Sequence, residues 1–218
     1  MNIDGINEIN IAIQSCENLK AIIPSCSRYR EAVPKTMKPE VSQRILLITR
    51  DPSNEANNYI ELLDWGNSFF RNHILEIFFR YYDKSKAKDD KEYFNIYKEK
   101  FIRLVYWTHY SKCFPGKKNR NHKQPNIKCA EKFLNLEIEV ALPELIILVG
   151  EHSIEFVMKT KLVEAIHNNG YNYKNNIPVI CLTHPSNANN KHKKDPRYRY
   201  EETVEKIRNW VDDNKSFI

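Results

Sequence analysis

The segment ILLITRDPS, residues 45–53, is the clearest indication of the fold class of this chain. Its first five residues form a continuous apolar run closed by Thr49, which is typical of a strand covered on both faces of a parallel sheet. An Asp-Pro step then turns the chain into a polar, Asn-rich segment. Asp51 therefore leaves the carboxyl end of a buried strand, where parallel sheets gather their chemistry.

Three further segments have the composition of strands, and helical spacing of apolar residues separates them. The predicted strands are VYWTHYSKC (105–113), LIILVG (145–150) and PVICLTH (178–184). The predicted helices fall within 56–82, 90–104, 129–143, 151–170 and 200–213. Strands that alternate with helices predict an α/β fold, here a three-layer α/β/α sandwich with a central four-stranded parallel sheet.

Length and composition predict one domain. A chain of 218 residues with 41% hydrophobic content can bury one sizeable core, so we expect a single domain over 1–218. Within it, 1–40 is a helical, cysteine-bearing segment and 84–104 an inserted helix. No apolar run reaches the roughly 20 residues of a membrane span, and the first residues lack a signal-peptide pattern. We expect a cytoplasmic monomer without a membrane partner.

The net charge of +6 is concentrated in two segments. Both are rich in Asn, His and Pro, which predicts exposed loops rather than helical faces. Solvated surface charge is one interpretation; because each segment follows a predicted strand, a polyanion partner is the other. The basic residues are Lys117, Lys118, Arg120, Lys123 and Lys128 in the first segment, and Lys191, Lys193, Lys194, Arg197 and Arg199 in the second.

The carboxyl ends of the four strands bring a distinctive set of residues to one edge. They are Asp51, His109, Gly150 and His184. A carboxylate, a histidine, an aromatic ring at Phe69 and a basic rim together suit a base extruded from nucleic acid. Each also has a plain structural explanation: Asp51 as a helix N-cap, His184 as a turn histidine and Phe69 as a core residue.

These segments together resemble the uracil-DNA glycosylase superfamily, especially its iron–sulfur branch, across roughly residues 24–210. ILLITRDPS lies where that family has its first motif, and GNSFFRNHIL places Phe69 on its stacking Phe. VYWTHYSKCFPGKKNRN resembles its Lys-Cys strand, and CLTHPS matches its His-Pro-Ser motif. The order and spacing of the motifs agree along most of the chain.

The resemblance implies a monofunctional DNA glycosylase. Asp51 would stabilise the cationic sugar and position the attacking water, and His184 would donate a hydrogen bond to a base oxygen. The base-binding residues it implies are Phe69, His109, Arg50 and Pro52. The DNA contacts, to single- or double-stranded DNA, would come from Ser186, Asn189, Asn190, Lys117, Lys118, Arg120, Lys191, Lys193, Lys194, Arg197 and Arg199. Asn189 and Asn190 would fill the space left by the extruded nucleotide.

Departures from the family pattern leave the substrate open. Arg50-Asp51 replaces the Glu-led pair of the iron–sulfur branch, and His109 replaces an Asn that hydrogen-bonds uracil. An imidazole offers one donor and one acceptor in a different geometry from an amide. Uracil or a modified pyrimidine is therefore expected, including a hypermodified phage base in antiviral defence. A non-catalytic nucleic-acid-binding relative, or one that attaches covalently to the abasic sugar, is the alternative.

The resemblance also implies a [4Fe–4S] cluster held by four of the five cysteines. The ligands would be Cys16, Cys26, Cys113 and Cys129. Four thiolates in a cytosolic chain suit a cluster better than disulfides, with zinc in the same cage or free thiols as alternatives. Cys16 and Cys26 are ten positions apart, where the family has Cys-x-x-Cys. Cys181, inside a predicted strand, is expected in the core.

Overall fold

A computed structural model describes residues 1–16, 36–52, 59–115, 117–118, 121–122, 124–125, 127–168, 171–186 and 189–214. Its centre is a five-stranded sheet in the order β2-β1-β5-β7-β6. The strands are β1 Ile45–Thr49, β2 Val105–His109, β5 Leu145–Val149, β6 Asn172–Tyr173 and β7 Ile177–Leu182. Strands β1, β2, β5 and β7 pair in parallel, which confirms the predicted parallel sheet. The short β6 adds an antiparallel edge strand beside β7.

Strand β2 is shorter than the sequence predicts. Every residue of β1, β2 and β5 is buried, as expected for strands covered on both faces. The prediction that β2 runs to Cys113 is wrong, because its partner β1 ends at Thr49. The amides of Tyr110 and Ser111 still donate to the carbonyls of Thr49 and Arg50, and the chain then turns away.

Helices cover both faces of the sheet. Right-handed crossovers place the helices of 59–104 on one face and those of 127–167 on the other. The helices are α1 Ile3–Gln14, α2 Tyr59–Leu62, α3 Leu75–Phe78, α4 Lys84–Asp89, α5 Lys91–Leu104, α6 Ile127–Cys129, α7 Asn135–Ala141, α8 Glu151–Met158, α9 Leu162–His167, α10 Asn190–Lys194 and α11 Tyr200–Asp213. π-Helical turns over Phe70–Ile74 and Ala130–Leu134 lead into α3 and α7.

The segment 84–104 forms two helices rather than the one that was predicted. Asp83 caps α4, since its side chain accepts from the amides of Ser85 and Lys86. Asp90 ends α4 and caps α5 by accepting from the amide of Tyr93. Two closely spaced N-cap acids therefore divide the segment, because each one starts its own helix.

The prediction that both basic segments are loops is also wrong. In the first, β3 Lys117–Lys118 pairs with β4 Asn121–His122 as a small antiparallel ladder. The second forms α10 and then a 3-10 turn over Pro196–Tyr198. Asp195 stabilises that turn, since its carboxylate accepts from the amide of Arg197 and pairs with its guanidinium at 2.7 Å. This one acid offsets part of the repulsion among the neighbouring cations.

The direction of winding reverses between β1 and β5. From β1 the chain goes to β2 on one side, then returns to β5 on the other. In such sheets the crevice at the carboxyl ends of the two strands beside the reversal is where ligands bind. None of the helices within the described ranges is long and apolar enough to cross a membrane.

Candidate active site

Asp51 lies at the switch point, directly beyond β1. Only 3% of its side chain is exposed, and its Oδ1 lies 3.2 Å from Nε of Arg50. Pro52, which follows, is buried. The strand end therefore holds a carboxylate away from bulk water, where it can orient one water molecule or stabilise a cation nearby, while Arg50 offsets part of its charge.

His109 ends β2 beside Thr49, with which it is paired in the sheet. Its Nδ1 lies 2.7 Å from Thr49 Oγ1, and the indole N–H of Trp107 donates to the same oxygen at 2.9 Å. An indole only donates, so the Thr49 hydroxyl can give its own proton to Nδ1. This network favours the tautomer of His109 that carries its proton on Nε2.

Gly150 lies between the acid and the second histidine in the sheet. Its φ of 84° and ψ of 163° fall in a region that essentially only glycine occupies. A Cβ on Gly150 would come 3.9 Å from the Cβ of His184, so β5 ends directly beside that histidine. Because β5 lies between β1 and β7, the carboxyl ends of β1 and β7 are about 10 Å apart. Gly150, which has no side chain, lies between those two ends.

His184 is held by hydrogen bonds between its ring and the turn that follows it. Its Nδ1 accepts a hydrogen bond from the amide of Ser186 at 3.3 Å, and the Ser186 hydroxyl lies 3.0 Å from the same atom. An Nδ1 that accepts from an amide cannot carry the proton of a neutral ring, so the proton is on Nε2. The turn therefore presents Nε2–H as a donor without requiring a positive charge.

Phe69 lies against the ring of His184. The centroids are 5.1 Å apart with an interplanar angle of 16°, so the rings are parallel and offset. A planar ligand that lay in the plane of the imidazole and accepted from Nε2–H would also be parallel to Phe69. Such a ligand could stack on Phe69 at the usual separation of about 3.5 Å. The platform and the donor thus suit one flat ligand together.

The structure adds two histidines that the sequence reasoning missed. His73 follows Phe69 by one helical turn, and the two rings contact at 5.7 Å between centroids. His152 lies two residues beyond Gly150, and its Nε2 is 2.6 Å from Oε1 of Gln124. Burial lowers the pKa of both, helped by Lys193 for His73 and by Arg50 for His152. In the sequence, His73 is marked by its helical spacing from Phe69, and His152 by its position just after the end of β5.

The residues predicted to contact DNA fall into four groups. Ser186 and Asn189 lie beside His184 and interact with each other, since the Asn189 amide donates to the Ser186 carbonyl at 3.0 Å. Asn190 begins α10, which carries Lys191, Lys193 and Lys194. Arg197 is paired with Asp195, and Arg199, with a φ of 40°, precedes α11. The backbone of Lys117 and Lys118 is described, while Arg120 lies outside the described residues.

Two of the predicted cysteine ligands are brought close together. Cys129 is buried at the end of α6, and its Sγ accepts a hydrogen bond from the amide of Lys112 at 3.4 Å. Cys113 directly follows Lys112 in the chain, so it lies close to Cys129. Burial raises the pKa of the Cys129 thiol, so a cation would be needed to hold it as a thiolate. Cys181 is buried, as predicted.

Helix α1 directs Cys16 toward the same region. A Cβ on Gly5 would meet the side chain of Val140, and Asn10 accepts from Tyr106, which also interacts with Glu137. The chain direction of α1 therefore opposes that of α7, and Cys16 follows α1 at the end nearer Cys129. Cys26 lies outside the described residues, and within the described part no three His, Cys, Asp or Glu side chains form a group that could hold a metal ion.

The fold and site define an α/β protein with an acid and a histidine across a switch-point crevice. A family model described as the uracil DNA glycosylase superfamily matches residues 37–208. The chain belongs to the uracil DNA glycosylase superfamily, whose members are generally DNA glycosylases. A search of curated proteins finds no match.

Proposed function

We propose that the protein is a monofunctional DNA glycosylase that hydrolyses the N-glycosidic bond of a flipped-out uracil or modified pyrimidine. The observation that carries the proposal is the His184 turn: a neutral imidazole presents Nε2–H in a plane parallel to Phe69. That arrangement matches a pyrimidine that is stacked on the platform and accepts a hydrogen bond at a ring carbonyl.

Breaking the bond places positive charge on the sugar and negative charge on the departing base. His184 would stabilise the base oxygen, and such donors are typically worth about 10²- to 10³-fold in rate. Asp51 would face the sugar across the gap above Gly150, stabilise its cationic character and orient the attacking water. Each role uses a group whose position is already fixed by the end of a strand.

The base would be selected by Phe69, His109, Arg50 and Pro52. Because Nδ1 of His109 is engaged by Thr49, any contact with a base edge would use Nε2, as a donor in the favoured tautomer. A single donor suits an acceptor on the base, such as the O4 carbonyl of uracil or of a modified uracil.

We also propose that Cys16, Cys26, Cys113 and Cys129 hold a [4Fe–4S] cluster, as in the iron–sulfur branch, with zinc as the alternative. The support is the N–H···S bond to Cys129, the adjacent Cys113 and the direction of α1. A cluster would link the first basic segment covalently to the core through its cysteine ligands. Iron and acid-labile sulfide contents and visible absorption test it, with Cys181→Ser as the control for Cys129→Ser.

The decisive experiment is base release, measured by mass spectrometry. The substrates are uracil-containing DNA and DNAs with modified pyrimidines, as single and double strands. We expect wild type to release one base, and Asp51→Asn and His184→Ala to lose at least about 10²-fold in rate. The exposed Asp89 and His167 provide matched controls, since Asp89→Asn and His167→Ala should retain wild-type rates.

A second candidate is a non-catalytic nucleic-acid-binding relative. The observation that favours it is the 3.2 Å contact of Arg50 with Asp51, which neutralises part of the carboxylate charge that the sugar cation needs. Binding of every DNA without release of any base would establish it. Release of a base that Asp51→Asn abolishes would exclude it.

A further inference from the structure

A single asparagine side chain joins the Phe69 platform to the helix that precedes it. Oδ1 of Asn67 accepts hydrogen bonds from the amide of Phe69 at 3.0 Å and from the amide of Phe70 at 3.2 Å. Its Nδ2 donates to the carbonyl of Leu62, the last residue of α2, at 2.9 Å. Asn67 thus serves the first amides of one helical turn and the last carbonyl of another, which are groups that a helix leaves without internal partners.

The two amides that Asn67 binds belong to neighbouring rings with different surroundings. Phe70 is fully buried and packs against Phe101 and Trp107. Phe69 is only partly buried and lies parallel to the imidazole of His184. The buried Phe70 ring anchors the turn on its carboxyl side. The remaining freedom of Phe69 is therefore rotation of the backbone on its amino side, where the asparagine acts.

The inserted segment 84–104 holds the start of the same turn. The indole N–H of Trp65 donates to the carbonyl of Ala87 in α4 at 2.8 Å. The backbone of Asn67 is held as well, since its amide donates to the carbonyl of Asp64 and its carbonyl accepts from the amide of Arg71. The backbone on both sides of Asn67 is fixed by these bonds, so its side chain can orient the platform without moving itself.

We propose that Asn67 is a positioning residue that holds Phe69 parallel to His184, and through Phe69 orients the stacked base. The role toward the base rests on the proposed function, since it takes Phe69 as the surface on which a base stacks. The two rings are 5.1 Å apart at 16°, so a flat base can stack on Phe69 and accept from Nε2–H of His184 at the same time. Without the acceptor on Asn67 the turn can rotate, and a tilted platform no longer allows both contacts.

Helix capping without any effect on the base is the alternative, and it predicts different results. A side-chain cap contributes to stability wherever it lies in a protein. Asp90 provides the matched control, because its carboxylate accepts from the amide of Tyr93 at the start of α5. Asp90→Ala should lose about as much thermal stability as Asn67→Ala and retain the wild-type rate of base release. Asn67→Asp retains an acceptor for the two amides and loses only the donor to Leu62.

The first test measures the orientation of Phe69 without any catalysis. The ring current of a phenyl group that lies over the imidazole shifts the carbon-bound protons of His184 in NMR spectra. Loss of this shift in Phe69→Leu identifies its source. We expect Asn67→Ala to lose most of the shift, and Asn67→Asp and Asp90→Ala to retain it. An unchanged shift in Asn67→Ala would overturn the proposal.

The second test asks whether the effect on base release passes through Phe69. At saturating enzyme, Asn67→Ala should slow release about tenfold, as a small misplacement of a bound group does, and Asn67→Asp should restore most of the rate. In a Phe69→Leu background, Asn67→Ala should cause no further loss, because the platform that it holds is absent. Fully additive losses would show that Asn67 acts by another route, and the proposal would then be wrong.

The two readouts separate this inference from the proposed function. An NMR shift that depends on Asn67, in a protein that releases no base, would leave the hold on Phe69 standing and overturn the glycosylase proposal. Base release and a shift that both survive Asn67→Ala would do the reverse. Loss of the shift without any loss of base release would show that the orientation of Phe69 does not affect the base, and would overturn the positioning role.

Discussion

Replacing Lys112 with Met is expected to destabilise the protein by about 3–5 kcal/mol, the cost of breaking a buried ion pair. The side chains of Lys112 and Glu137 are 2% and 1% exposed and form such a pair. Nζ of Lys112 also donates to Thr108 Oγ1 and to the carbonyl of His109, each at 2.8 Å. Removing the ammonium therefore leaves a buried carboxylate without a cation, although the Thr108 hydroxyl still donates to it and Tyr106 still interacts with it.

The double variant Lys112→Met with Glu137→Leu separates the pair from its surroundings. Apolar side chains of similar volume need no charge partner, so the double variant should lose at least about 2 kcal/mol less than the sum of the two single variants. Urea unfolding of all four proteins measures this difference. A loss below about 1 kcal/mol in Lys112→Met, or a fully additive double variant, would refute the reasoning.

The pH dependence provides a second check on the same prediction. Without Lys112, burial disfavours the unpaired Glu137 carboxylate, so the folded variant gains stability when that carboxyl takes up a proton. The folded variant then binds more protons than its unfolded chain, so its deficit relative to wild type should shrink as pH falls from 7 toward 5. A deficit that does not change with pH would show that lost packing, rather than the unpaired charge, sets the cost.

Three further predictions concern the strand ends and the pH dependence of stability. Gly150→Ala should cost about 1–3 kcal/mol because of its backbone conformation, although a Cβ has room there; thermal unfolding measures it, and no loss would contradict the φ of 84°. Ser186→Ala removes a hydroxyl beside His184 Nδ1, so single-turnover base release at saturating enzyme should fall about tenfold, as expected for one hydrogen bond. His73→Gln should reduce the stability lost between pH 7.5 and 5.5, because the lowered pKa of His73 makes the unfolded chain take up the proton first as pH falls; urea unfolding at both values measures it, with His167→Gln as the unchanged control.

The four strand ends show which features of the site local sequence patterns predict correctly. ILLIT, LIILV and the apolar part of VICL predict buried strands because continuous apolar runs suit a sheet covered on both faces. Their parallel arrangement then places Asp51, His109, Gly150 and His184 at one edge, and the structure agrees. The prediction of loops for the basic segments is wrong because Asn, His and Pro favour loops locally, while Asp195 and the β3–β4 pairing act against that preference.

The α/β class, the superfamily and the sheet edge that carries an acid and a histidine follow from the sequence alone, since strand period and motif order are local. The tertiary structure adds that Gly150 separates Asp51 from His184 and that Phe69 is parallel to the imidazole. These contacts join residues far apart in the chain. They depend on strand order and on side-chain orientation, which no short stretch of sequence specifies.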